Sequence, residues 1–567
     1  MAPRPVISSP QDVITAAQDA AGRGDNARAS AILQAGLSKY PKDLSLLGKA
    51  ASLALSRQNN DQAVDLYRQA IALAPDSDDL KLDLVIALTA AGRPAAALEL
   101  ALGLEAPMQD QPRYWSSRAN AARQAGNMEE AASSYDRCLL LKSDHPRALH
   151  GRARVALVRG EENALPQFDR ALSILPSEAD LWLGRAQALD AAGRAEEARA
   201  LAAQLVDKAP QWIDALDLYA QLLSATGESE IDAHYSEAAR RMPSLAAIPA
   251  AHIRHLTRRE KHESAYAIAE DAKSRFAGER IFELACASSA GMAGKLDLAD
   301  ELFDRIDWDS PDLSLELGRH RLRRGDLEEA ERLLDIAAAD KTTAHTAYAL
   351  RGILWRLTGD ERAVWLHEQA GLIRMLPLPD AENVFSSVIP TLLALHDGSS
   401  FPVGQSLRGG TQTRHILFQR QELELELLKS AVEQALEIYR SGLPDHDPAH
   451  PLLAHKKDRW SLLGSWSVRL KGGDHHAAHI HPQGVISSAL YMIIPESVAD
   501  DAGGKLELGR PPTDLMLDLE PLCVLQPRLG YLALFPSTLY HGTTCFTGGI
   551  RMTVAFDVAP RIVRTYE

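Results

Sequence analysis

Residues His475–Pro495 read HHAAHIHPQGVISSALYMIIP, and the C-terminal part of the chain is read outward from this stretch. His479 and His481 stand two positions apart at the head of a run rich in β-branched and aromatic residues. Strand alternation puts side chains at i and i+2 on one face, so both imidazoles can point at one metal ion. Further on, GYLALFPSTLYHGTTCFTGGIRMTVAFDV, residues 530–558, supplies a third histidine, His541, and ten positions later Arg551 on another strand-like run. The pattern predicts a metal site with an anion anchor. Imidazoles on one face with open positions suit Fe(II), with zinc as the competing metal.

The surroundings are also β in character. GSWSVRL, ISSALYMIIP, GKLELG, CVLQP, GYLALFP and IRMTVAFDV are short runs separated by Gly, Pro and Asp, as in a sandwich or jelly roll. Before them, ELELELLKSAVEQALEIYR at 422–440 has apolar residues at helical spacing. The segment 372–412 is rich in Pro, Gly and Ser and reads as a connector, with the β domain expected over 413–567. Within it, QSLRGGTQT pairs Gly409 and Gly410, which permit a tight backbone path, with donors on Arg408, Gln412 and Arg414 for a carboxylate or substrate amide. A loop that packs beneath the barrel is the alternative.

Everything before that boundary repeats. Gly24, Gln58, Gly92, Gly126, Gly160, Gly193, Gly227, Glu260, Gly294, Gly325 and Gly359 follow one another at steps of 33 or 34 residues, with one step of 31. Five positions after most of them comes a small residue, such as Ala29, Ala63, Ala97, Ala131, Ala198, Ala265, Ala299 or Ala330. Pro41, Pro75, Pro176, Pro210 and Pro243 stand where a helix must stop. These residues resemble the tetratricopeptide repeat, a helix-turn-helix unit of 34 residues. The resemblance is strong over 1–245 and degenerate over 246–371. It implies an α-solenoid whose concave surface takes a protein or peptide partner. The basic run Arg319–Asp326 reads as a solvated helix face.

Composition narrows the rest. With 76 acidic and 61 basic residues the net charge is −15, which argues against nucleic acid as a partner. Cys138, Cys286, Cys523 and Cys545 lack metal-type spacing, no apolar run reaches membrane-spanning length, and the N-terminus has no signal core. The expectation is a cytoplasmic protein without a membrane partner. The fold class expected is multidomain α + β, a repeat solenoid followed by a double-stranded β-helix.

The β segment as a whole resembles the 2-oxoglutarate and Fe(II)-dependent oxygenases often fused behind tetratricopeptide repeats in bacteria, on QSLRGGTQT, GSWSVRL, HIHPQGVISSALYMIIP, GYLALFPSTLYHG and IRMTVAF. The resemblance implies a jelly-roll barrel, Fe(II), and decarboxylation of 2-oxoglutarate to succinate coupled to hydroxylation. Aspartyl/asparaginyl hydroxylase relatives suggest a protein or peptide substrate, by analogy only. Arg551 would form a two-pronged salt bridge to the far carboxylate of 2-oxoglutarate. Thr553 and Tyr491 would be further donors, although Tyr491 and Trp466 also suit a core.

One departure matters. The family pattern puts a carboxylate two residues after the first histidine, and His481 stands there. Three arrangements follow: His479, His481 and His541 all bind iron, as in three-histidine thiol dioxygenases; His479 and His541 bind with water; or His481 leads and Glu507 completes a carboxylate triad. His475 and His476 read as structural or as neighbours of the entrance. Two other functions compete: a scaffold with a degenerate barrel, and a three-histidine dioxygenase that ignores 2-oxoglutarate.

Overall fold

The computed structural model describes residues 9–225, 231–399, 406–499 and 503–561. The chain divides into two compact units, 1–188 and 189–567. Helical repeats run on from the first unit into the second.

The first unit is built of helices such as Pro10–Gly22, Asn26–Lys39, Leu44–Ser56, Asn60–Leu73 and Asp78–Ala90, each packed on its neighbour in sequence. The repeat period has a backbone cause. Every described marker residue is in the left-handed region, with φ of 79° at Gly24, 70° at Gly92 and 80° at Gly126. That conformation ends the first helix of a pair and turns the chain into the second. Gln58 at 60° and Glu260 at 57° adopt it without being glycine, a conformation that disfavours a Cβ. Gly227 lies outside the described residues. The eight alanines are fully buried, which lets paired helices approach closely. The prolines follow two residues after helix ends, as Pro41 follows Lys39 and Pro210 follows Lys208.

In the second unit, helix pairs continue to the helix Ala344–Thr358, and strands follow. They are β1 (Arg374–Pro377), β2 (Leu407–Arg408), β3 (Thr411–Gln412), β4 (Arg459–Lys471), β5 (His475–His476), β6 (Ile486–Ile493), β7 (Leu506–Leu508), β8 (Cys523–Leu525), β9 (Tyr531–Pro536), β10 (His541–Thr543) and β11 (Ile550–Arg561). A six-stranded antiparallel sheet has the order β1-β9-β6-β11-β4-β3, a three-stranded sheet the order β10-β7-β8, and β2 pairs with β5. All six strand-like runs of the sequence form strands.

The segment 372–412 is not a connector. Its β1 pairs with β9, its β3 with β4 and its β2 with β5, and the helix Ala381–Asp397 covers the large sheet. Pro and Gly there mark strand ends and turns within the domain: a Cβ on Gly410 would stand 2.4 Å from the Arg469 carbonyl oxygen, so the β2–β3 turn has no room for a side chain.

Alternation along the strands sorts two faces. Leu490, Met492, Leu532, Leu534, Val554 and Phe556 bury against the helices Ala381–Asp397 and Leu423–Ser441. On the opposite face Tyr491, Ala533 and Phe535 pack with Leu506 and Leu508 of the small sheet. Arg551 and Thr553, expected site residues, line a cavity on this inner face.

Candidate functional site

His479 and His541 exchange backbone hydrogen bonds, His479 N to His541 O at 3.0 Å and His541 N to His479 O at 2.9 Å. This short bridge brings two sequence-distant segments together at the sheet edge. His481 joins them, and one nitrogen of each of the three imidazoles lies within 4.8 Å of the others. The rings are 4.2 to 5.1 Å apart between centroids.

In all three the Nδ1 atom is committed. His479 Nδ1 donates to Ala477 O at 2.8 Å, His541 Nδ1 to Leu539 O at 3.1 Å, and His481 Nδ1 to a carboxylate oxygen of Asp557 at 2.6 Å. Carbonyls and carboxylates only accept, so Nδ1 is the donor in each. Burial, helped by the neighbouring histidines, pushes His479 down to about 3 and holds His541 well below the ordinary imidazole value. Both are neutral near pH 7, the form that can ligate a metal. The Ser406 hydroxyl lies 3.2 Å from His479 Nε2 and from His476 Nδ1. Trp466 stacks on His481 at 5.4 Å and 14°.

A cavity of about 500 Å³ opens over this cluster, lined also by Gln412, Phe535, Arg551, Thr553 and Asp557. Arg551 is 3 % exposed, and its Nε and Nη1 have no partner among the described residues. Its Cζ lies 5.4 Å from the centre of the Tyr491 ring, whose hydroxyl is also buried without a partner. Thr553 stands opposite Tyr491 in the β11–β6 register. An unpaired buried cation costs several kcal/mol, roughly, and an anion in this cavity would satisfy it. Burial lowers the Arg551 pKa and raises that of Tyr491, the latter opposed by the Arg551 charge.

Three expected residues lie elsewhere. Glu507 is outside the histidine cluster: it pairs with Arg510 at 2.7 and 2.9 Å, so among the described residues no carboxylate completes the group. Arg408 points to Glu260 at 2.5 Å, and Arg414 pairs with Asp190 at 2.7 Å. The basic run at 319–326 is not simply a solvated face, because Arg319 and Arg323 both bond Asp514 of the β domain, at 2.7 and 2.9 Å. Sequence reading missed Asp557. The signal was present, since Arg551, Thr553, Ala555 and Asp557 alternate along β11 and all four line the cavity.

Comparison with known proteins accords with this geometry. Residues 464–557 match a family model described as "Putative 2OG-Fe(II) oxygenase", and tetratricopeptide-repeat models match 14–78, 54–121, 112–145 and 161–222. No curated protein matches the chain. Among solved structures, a tetratricopeptide repeat protein from Parabacteroides merdae is 20% identical, covering 40% of this chain and 91% of its own, with a TM-score of 0.35. PilW, a type IV pilus biogenesis factor, is 22% identical over 36% of this chain and 96% of its own, with a TM-score of 0.34. YrrB, described as a repeat protein with an unusual peptide-binding site, is 17% identical over 30% and 90%, with a TM-score of 0.26. This chain thus joins tetratricopeptide repeats in its N-terminal part to a domain at 464–557 of the kind described as a 2OG-Fe(II) oxygenase.

Proposed function

We propose that the two sheets are a double-stranded β-helix that holds Fe(II) on His479, His481 and His541 and binds 2-oxoglutarate through Arg551, Thr553 and Tyr491. The reaction is hydroxylation of a protein or peptide recruited by the repeats, with release of succinate and CO2. One observation carries this reading: three imidazoles, each with Nδ1 already hydrogen-bonded, share a cavity with a buried arginine whose Nε and Nη1 have no partner among the described residues. The donor set suits a divalent metal with open positions, and the orphaned donors suit a carboxylate.

Bound Fe(II) would supply oxygen activation coupled to oxidative decarboxylation of 2-oxoglutarate. The protein's own groups bind, orient and exclude water. Arg551 pairs with the far carboxylate of the cosubstrate, and the hydroxyls of Thr553 and Tyr491 add donors to it. The Nδ1 bonds to Ala477, Leu539 and Asp557 fix the ring planes, and Phe535 and Leu506 keep the cavity wall apolar. No side chain serves as general base. Among the described residues no helix is long and apolar enough to cross a membrane. With all four cysteines unpaired, a reducing cytoplasmic setting fits.

Succinate release by the anaerobically Fe(II)-loaded protein after admission of air tests the reading, with metal content and 2-oxoglutarate binding recorded on the same samples. Wild type should release succinate, and His541→Ala and Arg551→Ala should not. Iron bound with 2-oxoglutarate ignored would replace it with the three-histidine dioxygenase, and neither bound would leave a scaffold.

A further inference from the structure

A second cavity, of about 670 Å³, lies beside the first. Ser406, His476, His479 and Gly542 line both. Arg551, Thr553 and His481 line the first alone, so the histidine cluster stands between the cavity that holds Arg551 and the second cavity. One wall of the second cavity comes from the β domain, with Ile480, Pro482, Pro511 and Tyr540. The other comes from the degenerate repeats: Thr257, Arg258, His262, Met292, Arg319 and Thr346.

This wall is held in place. Arg319 and Arg323 converge on Asp514, which is itself largely buried. Arg408 reaches Glu260 at 2.5 Å, and His367 Nε2 lies 3.0 Å from Thr538 Oγ1. The degenerate repeats are therefore part of the site.

The lining charges decide what the cleft accepts. Its anions, Glu260, Glu507 and Asp514, are neutralised by Arg408, Arg510 and Arg319. Arg258 remains: it is exposed on the cleft and has no ion pair among the described residues. Four positions on, at the start of the next helix, His262 has an Nδ1 atom that is buried without a partner among the described residues. A cation exposed on the cleft rim without an ion pair calls for an anionic group on the ligand.

We infer that the cleft seats a polypeptide segment bearing an acidic side chain, which Arg258 engages at the rim while the residue to be oxidised rests over His479. The inference rests on the reading of the histidine cluster as a metal centre. A polypeptide fits because the wall is made by successive repeat helices, from Ala247–Arg258 to Ala344–Thr358, along which an extended chain can lie.

The test reads binding rather than turnover. Pools of decapeptides, randomised except for a central Asp, Asn or Lys, are presented to the immobilised full-length protein with Fe(II) and 2-oxoglutarate, without oxygen. The Asp pool should be retained at least fivefold better than the Asn pool. Arg258→Ala should abolish that preference, Arg258→Lys should restore part of it, and Arg258→Glu should turn it toward Lys. Arg258 is exposed, so these variants leave the core untouched; Met292→Trp, which narrows the cleft, should lower retention of the Asp pool. Equal retention of the Asp and Asn pools, or a preference that survives Arg258→Ala, overturns the inference. So does displacement of bound peptide by free N-acetyl-aspartate at matching concentration, which would assign the cleft to small acids. Failure of the underlying metal reading appears separately, as a wild type that takes up neither Fe(II) nor 2-oxoglutarate.

Discussion

His481 Nδ1 lies 2.6 Å from Asp557 Oδ2 although 76 positions separate them in sequence. The carboxylate accepts the Nδ1 hydrogen and so orients the ring, as carboxylates behind metal-bound histidines do. It is held in turn by the Ser487 hydroxyl at 3.2 Å. Asp557→Asn should lower Fe(II) affinity by roughly tenfold or more, measured by anaerobic calorimetry. Unchanged affinity would remove His481 from the ligand set and favour two histidines with water.

Arg551 offers a planar fork in a site with no competing acid among its lining residues other than Asp557, which His481 and Ser487 occupy. A lysine there provides one point charge in place of two parallel donors. Arg551→Lys should therefore weaken 2-oxoglutarate binding by about tenfold or more, on the order of 1.4 kcal/mol, with metal content unaltered. Parallel titrations of cosubstrate and metal separate the two effects.

Asp514 anchors the degenerate repeats to the β domain through Arg319 and Arg323, and Arg323 is 7 % exposed. Removing the carboxylate leaves two cations without their partner. Asp514→Ala should destabilise the 189–567 unit by about 3 kcal/mol, visible as a lowered denaturant midpoint. Asp360→Ala, at a local pair with Arg362, should leave the midpoint close to that of wild type.

His252 stacks on Tyr235 at 5.1 Å, and His234 gives its Nε2 to the Leu216 carbonyl at 2.9 Å. Burial lowers both imidazoles to about 4, whereas unfolded histidines titrate near about 6.5. Between those values the unfolded chain binds more protons, so stability falls as pH drops from roughly 6.5 to 4. The slope contributed is about one proton per histidine at most. Urea midpoints across this range, for wild type and His252→Phe, should show the variant losing part of the dependence.

Gln58 holds φ of 60° at a position where the other repeats mostly use glycine. Gln58→Gly should stabilise the first unit by about 1 kcal/mol through relief of the left-handed conformation, and Gly92→Gln should cost a similar amount. Thermal melts of the two variants should move in opposite directions.

How much of this was legible in sequence follows from the range of the forces involved. The repeat period is written locally, because each unit needs a left-handed turn and a small residue at a helix contact, and Gly24 and Ala29 satisfy both within a few positions. Arg551 was legible for a related reason: strand alternation fixes its face, and carried forward by twos it would also have reached Asp557, whereas His479 meets His541 in an isolated bridge and His481 lies outside the strands. The sequence by itself determined the solenoid, the β character of the C-terminal part and the candidate donors. Only the tertiary structure decided that Glu507 turns to Arg510, that 372–412 contributes strands, and that the degenerate repeats wall a cleft beside His479. Those outcomes depend on which charge meets which across long chain separations, as Arg319 meets Asp514 over 195 residues, and no local period encodes such encounters.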